Sequence, residues 1–344
     1  MPQPPRRILI RSPNPVGDAV MATPAFRALR QAHPEAEIVV IGPPQHAGLL
    51  RDVSSFDEYV PLVGRSFTAI RRRARELRRR SFDWAVVLPD SARAALEPAL
   101  ARIPRRAGYA RDRLRRALLT DALPPPMEAG RRVPISMIER YRRITRALGV
   151  PDADDALELV VHDPFRERAA KLLSEQGVGD DPILLVTPGA SYGASKLWPP
   201  GHFAEACDAL ARRHGLVPVV LPAPGPEEIA IAAEVSAAIG TCHVYVTEPG
   251  SLEDLKAMVE RCALLLTNDT GPRHVAVALD RPVITLMGPT DPRHTHHLLA
   301  RQRVLWEEVE CRPCGLKTCP IDHRCLTRLS PRRVLDAADE LLGA

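Results

Sequence analysis

Short apolar runs alternate with longer amphipathic stretches in both halves of the chain. RILIR at 7–11, EIVVI at 37–41 and WAVVL at 84–88 read as strands, and YVPLV at 59–63 is strand-like. Between them, residues 19–32, 46–53, 68–80 and 92–101 read as helices. The middle differs. Pro124, Pro125 and Pro126 interrupt regular structure, residues 137–148 are helical, and a polar turn at 151–155 precedes a helix over 164–176. A second alternation then begins. Its strands are ILLVT at 183–187, VPVVL at 217–221, HVYV at 243–246, LLLT at 264–267 and VITLM at 283–287. Its helices are expected over 202–214, 227–239, 252–261 and 272–279, and a last helix over 331–342.

This alternation predicts an α/β protein with two doubly wound parallel sheets, each covered by helices on both faces. The boundary is expected between residues 160 and 180. The organisation read from the pattern is one domain over 1–165, a second over 166–330 and a terminal helix over 331–344. Ligands bind such sheets outside the carboxyl ends of the strands, so two such domains in one chain predict a cleft with a site on each side.

Composition narrows the function classes. No apolar run approaches the ~20 residues that cross a bilayer. Residues 1–7 lead straight into the first strand without the apolar core of a signal peptide, so a cytoplasmic location is expected. Residues 1–160 hold 28 Arg and no Lys against 18 acidic residues; the remainder holds 19 basic against 24 acidic. The basic half predicts an acidic partner: phosphorylated lipid, an anionic membrane face or nucleic acid. Aromatic residues are only 4% of the chain, which leaves nucleic-acid stacking platforms poorly supplied. A non-catalytic binder of anionic glycolipid remains the alternative from another class.

Candidate chemistry sits in the loops after strands. The stretch from Leu265 to Ala276 runs from strand through a polar turn, Asn268-Asp269-Thr270-Gly271, into a helix with Pro272 in its first turn. Such a helix start offers free N–H donors to a phosphate, Gly271 permits close approach, and His274 lies one turn in; an ordinary capped turn is the other reading. The loop after 183–187 is rich in Gly and Ser and carries Lys196, either a diphosphate contact or a solvated side chain. The loop after 7–11 carries Gly17 and Asp18. Asp18 is either an N-cap or a carboxylate positioned as a general base. No G-x-G-x-x-G or Walker pattern occurs, and the Asp152-Ala153-Asp154 pair lies in the polar turn, so no divalent-metal carboxylates are evident. Cys207, Cys242 and Cys262 are expected as buried small hydrophobes. Cys311, Cys314, Cys319 and Cys325 cluster with His323 and are open to three readings: a structural zinc site, packed free thiols or redox-labile pairs.

Taken in order, these blocks resemble glycosyltransferase family 9, the bacterial heptosyltransferases. The resemblance is carried by Val16-Gly17-Asp18 with Thr23-Pro24-Ala25, by Pro188-Gly189-Ala190 through Lys196-Leu197-Trp198-Pro199, and by Asn268-Asp269-Thr270-Gly271 with His274, Ala276 and Ala278 through Gly288-Pro289. It implies a GT-B fold of two Rossmann-like domains, with the final helix packing back on the first. It implies an inverting, cofactor-free transfer from an ADP-heptose donor, held by the C-terminal domain, to a lipopolysaccharide inner-core acceptor, held by the N-terminal domain at the cytoplasmic face of the inner membrane. The family's general base falls on Asp18. Its donor contacts fall on Lys196, Asp269, Thr270, Gly271, His274 and Glu228, with neighbouring Glu227 as a second choice. Arg75 and Arg79, four apart on one helix, are expected to meet the acceptor's anionic groups. Another nucleotide sugar or acceptor would fit the same fold.

Overall fold

The computed structural model describes residues 4–343 except 65, 129, 296 and 298. The chain divides into two compact units, 1–160 and 161–344.

The first unit is built on a six-stranded parallel sheet of β1 (Arg7–Arg11), β2 (Glu37–Gly42), β3 (Glu58–Pro61), β4 (Trp84–Val87), β5 (Arg105–Tyr109) and β6 (Asp121–Leu123), in the order β3-β2-β1-β4-β5-β6. A two-stranded hairpin, β7 (Met127–Glu128) and β8 (Arg131–Arg132), stands apart. The apolar runs become the centre of the sheet: Ile8, Leu9, Ile10, Ile38, Val39 and Val40 have no solvent exposure. Burial on both faces explains why these strands read as continuous apolar runs rather than alternating ones. The stretch 19–32 is two helices, Val16–Met21 and Thr23–Ala32, meeting at Ala22, where Pro24 opens the second.

Strands β5 and β6 escape a reading by hydrophobic runs. In β5 two of five residues are Arg, and both are accommodated. Arg105 lies 5.0 Å over the Trp84 ring and bonds Asp121 at 2.7 Å, while Arg106 Nε donates to Leu118 O at 2.8 Å. Long side chains of this kind can lie along a sheet and carry their charge to its edge.

The second unit repeats the plan with β9 (Ile183–Thr187), β10 (Val217–Val220), β11 (Val244–Tyr245), β12 (Leu264–Asn268), β13 (Val283–Leu286) and β14 (Gln302–Leu305), in the order β11-β10-β9-β12-β13-β14. Both sheets therefore show the 3-2-1-4-5-6 order of dinucleotide-binding folds, with a switch point between the first and fourth strands of each. The core of this unit gathers Leu184, Val186, Trp198, Phe203, Leu264, Leu266, Ile284, Cys325, Leu326, Leu329 and Val334. The last helix, Pro331–Leu342, belongs to the second unit. It packs on helix Pro200–His214 and on β14 of its own unit. The reason is its apolar stripe: Val334, Ala337 and Ala338 are buried in this core.

Candidate active site

In the second unit the loops after β9 and β12 meet at the switch point. Asn268, the last residue of β12, is fully buried; its side-chain amide donates to Pro188 O at 2.5 Å, and its Oδ1 accepts from the Trp198 N–H at 3.2 Å. Trp198 is 1% exposed and its indole N–H donates to Leu329 O at 2.9 Å, so the loop after β9 is anchored on its far side. Lys196 is thereby held with its ammonium on Asp269: 2.7 Å to Oδ2 and 2.8 Å to the backbone O. Thr290 donates to the same Oδ2 at 2.7 Å, and Arg273 Nη1 lies 3.4 Å from Oδ1. Burial alone pushes the Asp269 carboxyl up, but Lys196 and Arg273 outweigh it, and the group is held far below the usual carboxylate range. Asp269 is therefore a permanently ionised hub whose oxygens are taken. It is not a base.

Arg273, Thr290, Thr295 and Gln302 were not singled out in the sequence. Arg273 is 1% exposed and bonds Gln302 Oε1 through Nε and Nη2, at 3.1 and 3.0 Å, and Thr295 Oγ1 through Nη1 at 2.7 Å. One signal was available, since Arg273 stands four residues after Asp269, one helical turn. Thr290 had no local signal; it reaches Asp269 from the loop after β13.

Thr270 and Gly271 lie half-buried where helix Gly271–Ala278 begins, with Thr270 as a residue of extended backbone that makes no side-chain cap. The first N–H groups of a helix have no intrahelical acceptor and carry partial positive charge, which suits an anion. His274 is buried and stacks on His297, centroids 5.7 Å apart. Burial first, then Arg273 and His297, depress its basicity well below that of a free imidazole. Its Nδ1 has no hydrogen-bond partner among the described residues.

Glu228 enters from the loop after β10, in the first turn of helix Pro226–Ala238. It is buried, whereas Glu227 is exposed. Its Oε2 has no hydrogen-bond partner among the described residues and would lie 1.8 Å from a Cβ at Gly189. Position 189 must therefore be glycine for this carboxylate to sit there. Desolvation raises the Glu228 carboxyl above its ordinary value, an N–H from Ala190 lowers it, and Glu227 raises it.

In the first unit Asp18 is half-buried in the first turn of the short helix Val16–Met21. It is not the N-cap, which is Pro15. A carboxylate is favoured there by the helix dipole. The buried Tyr141 hydroxyl, on helix Met137–Ala147, is pushed well up by burial and then by the Asp18 charge, so the two groups are neighbours. Asp90, after β4, accepts from Arg140 Nη2 at 2.7 and 2.6 Å.

The Arg-rich helix Phe67–Arg79 sorts its cations. Arg73 is buried against Glu97 at 2.5 Å and Arg80, at its C-cap, pairs with Glu37 and Glu58. Arg75 and Arg79 are exposed. Missed in the sequence is Arg11, at the end of β1. It is half-buried beside the fully buried His46, whose ring burial and Arg11 depress to about 4. Asp152 and Asp154 are spent on Arg146 and Arg27.

The zinc reading of the cysteine cluster is not supported. Cys311, Cys314 and Cys319 lie near enough to raise the Cys325 thiol, after burial. Yet Cys325 is turned into the core while Cys311 and Cys314 are exposed, and no group of three or more His, Cys, Asp or Glu among the described residues is arranged to hold an ion. All seven cysteines are free; Cys207 and Cys262 are buried as expected, and Cys242 is exposed, contrary to expectation. No helix among the described residues is long and apolar enough to cross a membrane.

Comparison with known proteins agrees with this geometry. The sequence model of glycosyltransferase family 9 (heptosyltransferase) matches residues 70–324. The chain is 31% identical to lipopolysaccharide heptosyltransferase 2 of Salmonella typhimurium, covering 98% of this chain and 99% of that one. Among solved structures, the ADP-heptose lipopolysaccharide heptosyltransferase II of E. coli superposes with a TM-score of 0.80 at 28% identity, covering 98% of each chain. The E. coli heptosyltransferase WaaC, solved with ADP-2-deoxy-2-fluoro heptose, shares the fold at a TM-score of 0.70 and 22% identity, over 97% of this chain and 99% of that one.

Proposed function

The chain belongs to glycosyltransferase family 9, the heptosyltransferases, and from that premise we propose that it moves a heptose from ADP-L-glycero-β-D-manno-heptose to heptosyl-Kdo2-lipid A, with inversion and without a metal. One observation carries the reading. At the carboxyl ends of β9, β10 and β12 a largely buried ammonium, a helix start and a carboxylate oxygen with no hydrogen-bond partner among the described residues come from the loops of three neighbouring strands of one sheet. The ammonium and N–H groups suit a diphosphate, and the carboxylate oxygen suits ribose hydroxyls.

In this reading Lys196 and the N–H groups at Thr270 and Gly271 meet the diphosphate. Asp269 orients Lys196, neutral His274 donates a hydrogen bond, and Glu228 accepts from the ribose. Asp18 takes the proton of the acceptor hydroxyl as that oxygen attacks the anomeric carbon; the bond from that carbon to the diphosphate breaks, and ADP leaves. Attack opposite the leaving group inverts the centre. The leaving charge is met by fixed donors, so no metal is required. Arg75 and Arg79 meet anionic groups of the acceptor at the cytoplasmic face of the membrane.

Incubation with ADP-heptose and a heptosyl-Kdo2-lipid A acceptor in EDTA tests this. The expected result is a mass gain of one heptose with release of ADP. Transfer only from another nucleotide sugar would overturn the donor assignment. Activity lost in EDTA and restored by Mg²⁺ would overturn the metal-free mechanism.

A further inference from the structure

Residues 311–325, conspicuous in the sequence for their thiols, hold the Lys196 loop in place. Gly315 O accepts from the Tyr192 hydroxyl at 2.5 Å, Leu316 O from Ser195 Oγ at 2.5 Å and Lys317 O from the Ser195 N–H at 3.0 Å. Gly193, at φ 151°, lets the two backbones close; a Cβ there would lie 2.4 Å from Lys317 O. On the other side the Gly315 N–H donates to Pro289 O at 2.9 Å and Arg312 Nε to Gly288 O at 2.7 Å, beside Thr290. One segment thus grips both loops that bring donors to Asp269.

The same segment also carries a cation, Lys317, to the edge of the site. Lys196 is paired with Asp269, and Arg273 is buried and committed to Thr295 and Gln302. A diphosphate leaving group carries more than one negative charge, so it gains from a cation not already neutralised. The outer side of Lys196 carries the Tyr192 ring, its centroid 5.1 Å from Lys196 Nζ and 6.0 Å from Lys317 Nζ. The chain has four lysines, and two of them share this ring. Lys317 is exposed, and among the described residues its ammonium makes no ion pair.

We propose that Lys317 is a second cation for the donor's diphosphate, carried to Lys196 by the cysteine-rich segment. This rests on the assignment of Lys196 to the diphosphate. The test is calorimetric titration of the full chain with ADP and with AMP, using Lys317→Met, Lys317→Arg and Lys196→Ala. Lys317→Met should bind ADP about tenfold more weakly, the scale of one exposed charge-assisted contact. AMP affinity should change less, and Lys317→Arg should restore ADP binding. Normal ADP affinity in Lys317→Met with an impaired Lys196→Ala overturns this proposal alone. Normal affinity in both overturns the diphosphate assignment and this proposal with it. Equal losses for ADP and AMP mean that Lys317 shapes the loop rather than meeting phosphate, and overturn it too.

Discussion

The loops at the switch point of the second sheet are tied to each other: Lys196, after β9, and Asp269, after β12, form a buried ion pair that Thr290 and Arg273 complete. In the first sheet the equivalent loops, after β1 and β4, carry two acids. Asp90 is spent on Arg140, and Asp18 stands half-buried near the Tyr141 hydroxyl. The same topology thus places two aspartates in different surroundings. Asp269 has its oxygens saturated by cations and a hydroxyl, so it holds a geometry and keeps its charge far below the usual carboxylate range. Asp18 stands at a helix start and is partly open to solvent. A charged residue in a motif whose hydrogen-bonding capacity the fold consumes, as at Asp269, serves architecture.

Replacing each aspartate should separate these roles. Asp269→Ala leaves Lys196 and Arg273 buried without their counter-charge, and loss of one partner of a buried pair costs about 3–5 kcal/mol. Denaturant unfolding should show a loss of that order. The folded carboxyl lies far below its ordinary 3.8, so its stabilisation is complete above that value and is lost only as pH falls through the folded one. The penalty should be undiminished at pH 5. A variant as stable as the parent would mean that the network is not what holds the loops.

Asp18→Asn should do the reverse. Turnover is expected to fall ~10²-fold or more, the usual scale for removing a general base, with ADP affinity and melting temperature nearly unchanged. Steady-state kinetics with calorimetry checks this, and near-normal kcat would reduce Asp18 to a favourable helix-start charge.

The smallest effect is expected at Glu228. Its carboxyl is raised above 4.5 in the folded protein, so burial of the charge costs stability; the cost is absent below the unfolded value and sets in as pH rises through the folded one. Glu228→Gln should raise the melting temperature slightly at pH 7 and not at pH 4, while weakening ADP a few-fold, because a charge-assisted bond to the ribose becomes a neutral one. A variant both more stable and equally tight for ADP would remove Glu228 from the nucleotide site.

Legibility followed the range of the interactions. Strands β1, β2, β4, β9, β10, β12 and β13 stood out because burial on both faces demands unbroken apolar runs, and their order in sequence with intervening helices implied parallel sheets. The blocks around Asp18, Lys196 and Asp269 stood out because a loop that follows a strand and precedes a helix carries Gly, Pro and cap-type residues in a fixed sequence. Strands β5 and β14 did not, since Arg105, Arg106 and Arg303 occupy them and only contacts with Trp84, Asp121 and Glu340 make those positions acceptable.

The sequence by itself determined the α/β alternation, the two repeated sheets and the family, all of which depend on patterns that span neighbouring residues. The tertiary structure alone decided that Asp269 is a saturated hub, that Glu228 rather than Glu227 is buried, that the last helix belongs to the second unit and that residues 311–325 clasp the Lys196 loop. Each of these depends on partners tens of residues or more away in the chain, and burial and charge compensation at a point in space are properties of the packed fold, not of any local stretch.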